Sequence, residues 1–257
     1  MPTDLFVGCR AKIDRAKFHL KQLTLEIRAA EGDMYGFRVD VDAHTGERVI
    51  KASLPQQLFT HYSIAGGEVV HQARSALEHL IWDLILANGA TPKDWVSGFP
   101  IFIDKNEYQK KSRRMVNGVN TAAITIIDGL QPVNPNYRTD ILYLLGEMWN
   151  REKHRLLNFA SIRLNAYKAL YIYPSGRHRA IVADLTTAAV QDGTELGRFR
   201  QPDDLTPQVK VIEQVDYSGL FFKDAGSATG YPALELLLNQ VNLVESITNK
   251  LIGTVVT

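Results

Sequence analysis

Between Gly66 and Leu84 the chain reads GGEVVHQARSALEHLIWDL, which gathers Glu68, His71, Arg74, Glu78 and His79 at short helical spacings. Histidine can give or take a proton near neutral pH. Arginine offers planar donors that match two oxygens of a phosphate or carboxylate. At about 100° per residue, with His71 at zero, Glu78 falls about 20° away, Ser75 about 40°, Glu68 and Arg74 about 60° to either side, and His79 about 80°. Val69, Val70, Ala73, Leu77, Leu80 and Leu84 take the other side, the split expected of a helix lying on a core. Trp82 falls about 20° from His71, amid the polar groups. An aromatic there predicts that this side is covered.

A second stripe lies in DILYLLGEMWNREKHRLLNF, Asp140 to Phe159. Asp140, Tyr143, Glu147, Asn150, Arg151, His154 and Asn158 follow helical steps and share one face. Leu142, Leu145, Trp149 and Leu156 are expected opposite. If the stripes face each other they enclose a polar cleft. Taken singly, each is ordinarily a solvated face, and Arg74 with Glu78 a plain surface pair. His19, His44, His61 and His178 lack such company, and KKSRR, Lys110 to Arg114, reads as a solvated helix end.

The elements that must position these groups follow from periodicity. Asp4 is placed to cap a helix running to about Glu31, closed by Gly32. The period then changes to alternation at Phe37, Val39 and Val41, turns through HTGE and resumes at Val49, a hairpin over 35–53. Pro55 can open a helix that ends near Gly89, with a bend expected at Gly66-Gly67. After FPIF, Asp104 and Glu107 fit a capping box for a helix to about Asn117, and a short helix spans Thr121 to Asp128. A long helix is expected from Tyr137 to Phe159. Beyond it KALYIYP, RAIVADLTTAAV, VKVIEQVDY and GLFF are strand-like, and Pro232 to about Ile252 is helical. The fold class is α+β: a mainly helical bundle with a hairpin over 1–160, then a small antiparallel β-rich portion with a C-terminal helix over 161–257. Periodicity leaves open whether the hairpin joins the later sheet.

With 257 residues, 45% hydrophobic and 22% charged, the chain has the composition of a globular protein. A net charge of +1 excludes the global basic field of a strong non-specific nucleic-acid binder, so an anionic partner needs a local cluster. Charges interrupt the N-terminal stretch where a signal peptide would be apolar, and no run approaches a membrane span. The lone Cys9 cannot close an internal disulfide and reads as a small packing residue, so a cytoplasmic location is expected.

The RSALEH segment, Arg74 followed after four residues by His79, resembles the arginine and histidine signature of the HEPN superfamily. More widely, GGEVVHQARSALEHLIWDL, FPIF and NREKHR resemble a bacterial protein family over about the first 160 residues, a likeness that implies no activity. The HEPN likeness implies a compact helical domain, a homodimer, and a metal-independent ribonuclease of a toxin–antitoxin or phage-defence system, with RNA or an antitoxin-like protein as partner. Ser75 follows Arg74 where that superfamily often has a polar amide or acid, and the β-rich portion is not part of a minimal HEPN domain.

Cleaving RNA without a metal needs a base for the 2′-hydroxyl, an acid for the leaving oxygen and positive charge on the phosphorane. On this resemblance His79 and Arg74 fill those roles with His71 and His154 as partners. Glu78, Glu147, Asn150, Arg151, Lys153 and Arg155 would contact substrate, with no cofactor. Two other readings stand beside it. One is a helical-bundle metal site from Glu68, His71, Glu78, Glu147 and His154, which lacks a second Glu-x-x-His and sets Arg74 and Arg151 beside the cation. The other is a non-catalytic binding protein whose stripes form an interface or a buried polar cluster.

Overall fold

The computed structural model describes residues 5–30, 36–53, 56–133, 140–184, 192–200, 202 and 208–255. The expected caps and breaks at Asp4, Gly32 and Pro55, and the expected helix start at Tyr137, lie outside them. Six helices and two antiparallel sheets are formed among the described residues, an α+β fold.

Helix α2 (Gln56–Ala87) is the axis. It packs against α1 (Val7–Ala30), α5 (Ile141–Glu152), α6 (Ala233–Ile252) and the long strand β3 (Asn158–Ile172). Being surrounded explains its wide apolar face: Val69, Val70, Ala73, Leu77, Leu80 and Leu84 are buried as the periodicity predicts, and Ala76, Ile81 and Ile85 with them. Helix α2 runs unbroken through Gly66-Gly67. A Cβ at Gly67 would stand 3.0 Å from Cγ of Glu152, so the glycine admits α5.

Asp104 caps α3 (Lys105–Met115) by accepting from Glu107 N at 2.8 Å, and Asn120 caps α4 (Thr121–Gly129) by accepting from Ala123 N at 2.8 Å. Asp140 caps α5 by accepting from the amides of Leu142 and Tyr143. The expected helix to Phe159 stops at Glu152. Its last residues are claimed by the sheet: Asn158 already pairs with Asp224 and Phe159 with Phe222. Sheet pairing here overrides a helical pattern, as tertiary context commonly does.

Strands β1 (Gly36–Val41) and β2 (Arg48–Ser53) form the expected hairpin, Gly36 opposite Ser53 and Val41 opposite Arg48. Its turn is fixed by Asp42, which accepts from the amides of His44 and Thr45, and by Gly46 at φ 68. The hairpin joins a later strand: β2 pairs with β5 (Glu195–Phe199). In the other sheet β3 lies between β4 (His178–Asp184) and β6 (Lys210–Asp224). The segments VKVIEQVDY and GLFF are therefore one strand, passing through Gly219 at φ 103. The later part of RAIVADLTTAAV, residues 185–190, lies outside the described residues. Tyr167 of β3 links the sheets, its ring centroid 5.4 Å from both Phe37 of β1 and Phe199 of β5. No helix among the described residues is long and apolar enough to cross a membrane.

Candidate functional site

Arg74 projects from α2 toward α5 and the FPIF segment and is only 6% exposed. Its Nη2 donates to the carbonyl of Phe99 at 2.9 Å and lies 2.5 Å from Oε1 of Glu78, one turn on. The other carboxylate oxygen of Glu78 accepts from the Phe99 amide at 3.1 Å. Arg74 and Glu78 thus clasp both polar backbone groups of Phe99. Gly98 makes the approach possible, since a Cβ there would collide with the Glu78 carboxylate. Gln131 holds the other side of the loop, donating to the Pro100 carbonyl at 3.0 Å and accepting from the Phe102 amide at 3.2 Å. The two sequence motifs RSALEH and FPIF are therefore two halves of one clasp.

The guanidinium also lies 5.1 Å from the Trp149 ring centroid, while Lys153 places Nζ 3.1 Å from the same ring. Nη1 of Arg74 is buried without a hydrogen-bond partner. Beside it opens a cavity of about 370 Å³, whose wall includes Arg74, Phe99, Tyr143, Glu147, Trp149 and Asn150. Gly146 lies in the same wall, packed beside Ile101, which a Cβ would meet at 3.4 Å, an ordinary contact. Along α2 from Gly67 to Arg74, the facing residues of α5 go from Glu152 back to Trp149, so the helices run in opposite senses here.

Burial sets the electrostatics. It pushes the Glu78 carboxyl above its ordinary range, opposed by Arg74 and the Phe99 amide, and it pulls Arg74 downward, opposed by Glu78. Lys153 is lowered first by burial and then by the Arg74 charge. An anion entering the cavity would relieve the crowding of the two cations around Trp149.

Of the predicted site residues, Arg74, Glu147 and Asn150 come together at the cavity, with Glu78 touching Arg74 and Lys153 over Trp149. The three histidines are not part of its lining. His71 and His79 are exposed on α2, and His79 turns to α1, where a Cβ on Gly8 would lie 3.0 Å from its Nδ1. His154 is exposed in the turn beyond α5, because the helix ends before it. Arg151 donates to Asp224 at 3.2 Å and Arg155 stands 4.0 Å from the same carboxylate, so both tie the end of α5 to the end of β6. Trp82 is 38% exposed, not covered as expected, and Trp149, which packs against the core, also forms part of the cavity wall.

The carboxylates of the metal reading are dispersed. Glu68 pairs with His19 at 3.3 Å, Glu78 with Arg74, and Glu147 accepts from the Ser227 amide at 3.2 Å. Among the described residues no group of three or more His, Cys, Asp or Glu is placed to hold a metal ion.

No family model, curated protein or solved structure matches this chain. What the site can do therefore rests on its own geometry. Sequence reasoning missed Phe99, Ile101, Phe102, Met115 and Trp149 as lining residues. The available signal was FPIF itself, an apolar segment between Gly and a capping Asp, with nowhere to bury its rings except against a neighbouring helix.

Proposed function

We propose that this chain is a non-catalytic binding protein whose α2–α5 cavity receives a small organic anion, an apolar or aromatic body bearing one carboxylate or phosphate. The observation that carries this reading is the buried Arg74 guanidinium, with Nη1 unmatched, at the wall of a cavity otherwise rich in rings. A buried cation donor without a partner is costly, and an anionic acceptor removes that cost. Phe99, Tyr143 and Trp149 supply surface for the apolar body, and Asn150 at the wall supplies a neutral amide. Benzoate and phenyl phosphate are the probes, followed by calorimetry and by tryptophan fluorescence. Saturable binding, lost in Asn150→Trp, which fills the cavity while leaving Arg74, Glu78 and Phe99 in the chain, supports the reading. Binding of neither probe to the folded wild-type protein counts against it.

The second reading is a HEPN-like metal-independent ribonuclease in which Arg74 stabilises the phosphorane and His79 moves the proton. What favours it is the same cation in an open cavity with Lys153 beside it. Its difficulty is that Arg74 faces Phe99 and Trp149 while His79 faces α1 of the same chain. Cleavage of RNA in EDTA that leaves 2′,3′-cyclic phosphate ends and falls roughly 10²–10⁴-fold in His79→Ala would place this reading ahead of the first.

A further inference from the structure

A second concavity lies on another part of the molecule, between α1 and α6, with a volume of about 660 Å³. Its floor is Leu20 and Val241, both buried, and its lips are Leu25 at 49% and Leu238 at 48% exposure. Leucines half exposed along a trough are an unpartnered apolar surface. The α1 wall adds a polar row of Lys17, Lys21, Thr24 and Arg28. These fall at steps of four, three and four along one helix edge, a length of about 16 Å, or three turns. Lys17 meets Glu245 at 2.6 Å. Among the described residues Lys21 and Arg28 form no ion pair, and Glu235 is the one carboxylate on the groove wall.

We propose that this groove docks an amphipathic helix of a partner protein, with leucine-like residues at i, i+4 and i+7 seated against Leu25, Leu238 and Val241 and acidic residues aligned on Lys21 and Arg28. The distribution of charge selects this occupant. A fatty acid carries a single carboxylate at one end, whereas the cations here are spread along the trough at the repeat of a helix. A second copy would bring its own α1, where Arg10, Lys12, Arg15, Lys17, Lys21 and Arg28 outnumber Asp14 and Glu26, so like charges would oppose. An acidic helix meets both demands, the apolar floor giving affinity and the cationic edge giving orientation.

The test uses the full chain and three labelled, helix-stapled peptides: leucines at i, i+4 and i+7 flanked by glutamates, the same leucines flanked by lysines, and the glutamate peptide with serines for leucines. Fluorescence anisotropy should show saturable binding of the acidic leucine peptide alone, weakened by added salt. Lys21→Glu with Arg28→Glu, both at exposed positions, should weaken that binding roughly tenfold and favour the lysine peptide instead. Leu238→Asp should abolish binding of either, with circular dichroism unchanged. Equal binding of both leucine peptides, binding unaffected by the charge reversal, or no binding overturns the proposal. Oleate binding without acidic-peptide binding overturns it in favour of a lipid, and a wild-type dimer that Leu238→Asp dissociates in sedimentation overturns it in favour of a second copy.

Discussion

Arg74 and Trp149 meet with the guanidinium carbon 5.1 Å from the indole ring centroid, the same guanidinium holding Glu78 and the Phe99 carbonyl. Replacement by lysine keeps a charge but loses the planar guanidinium that lies against Trp149 while its Nη2 reaches both Glu78 and the Phe99 carbonyl. Arg74→Lys should therefore cost about 1–3 kcal/mol in urea unfolding and shift the tryptophan emission. Unchanged stability would mean that the clasp on Phe99 contributes nothing.

Two glycines are required by carboxylates. Alanine at Gly98 would put a methyl group onto Glu78, and alanine at Gly226 would put one onto Glu147 while holding a φ of 63. Each substitution should destabilise by about 1–3 kcal/mol, the usual range for forced overpacking. The comparison variant is Gly129→Ala, where a Cβ meets nothing within 4 Å. Denaturation midpoints that fall equally in all three would refute the steric account.

Acid should weaken the fold through His79. Its imidazole, open to water on one side, is held below the ordinary value first by the partial desolvation that comes with packing beside Gly8 of α1 and then by the charge of Lys12. A base depressed in the folded state stabilises it fully above the unfolded-chain value near 6.5, and that contribution is lost as pH falls through the lower folded value. His19 acts in the same sense, lowered by burial and Arg15 against the opposing Glu68. Melting temperatures measured from neutral pH downward should fall less steeply for His79→Gln than for wild type. An identical slope would remove His79 from the account.

Cys9 should be inert in the folded protein. It is fully buried, its thiol donates to the Phe6 carbonyl at 3.2 Å, and its pKa is pushed up to about 11, chiefly by burial. Thiolate is the reactive form. Ellman's reagent at mildly alkaline pH should label the native chain slowly and the guanidinium-unfolded chain at once. Fast native labelling would show that this end of α1 opens readily.

What the sequence determined by itself was everything carried by local period and local chemistry. The apolar face of α2, the cap at Asp104 and the hairpin from Gly36 to Ser53 were legible, because a helix repeats every few residues and a strand every two, whereas Asp140 read as a member of the polar stripe and is instead the cap of α5. The stripe angles set Arg74 about 60° to one side of His71 and His79 about 80° to the other, and in the structure Arg74 turns to Phe99 while His79 turns to Gly8 of α1. Tertiary structure alone decided where α5 ends, because the pairing of Asn158 with Asp224 joins residues far apart in the chain and outweighs the helical pattern around His154. It decided that β5 completes the hairpin sheet, and that Arg74 and Glu78 grip the backbone of Phe99, a partner no periodicity within α2 can name. A helix face specifies what kind of surface it needs. Which segment supplies that surface is settled only when burial and hydrogen bonding are satisfied across the whole chain.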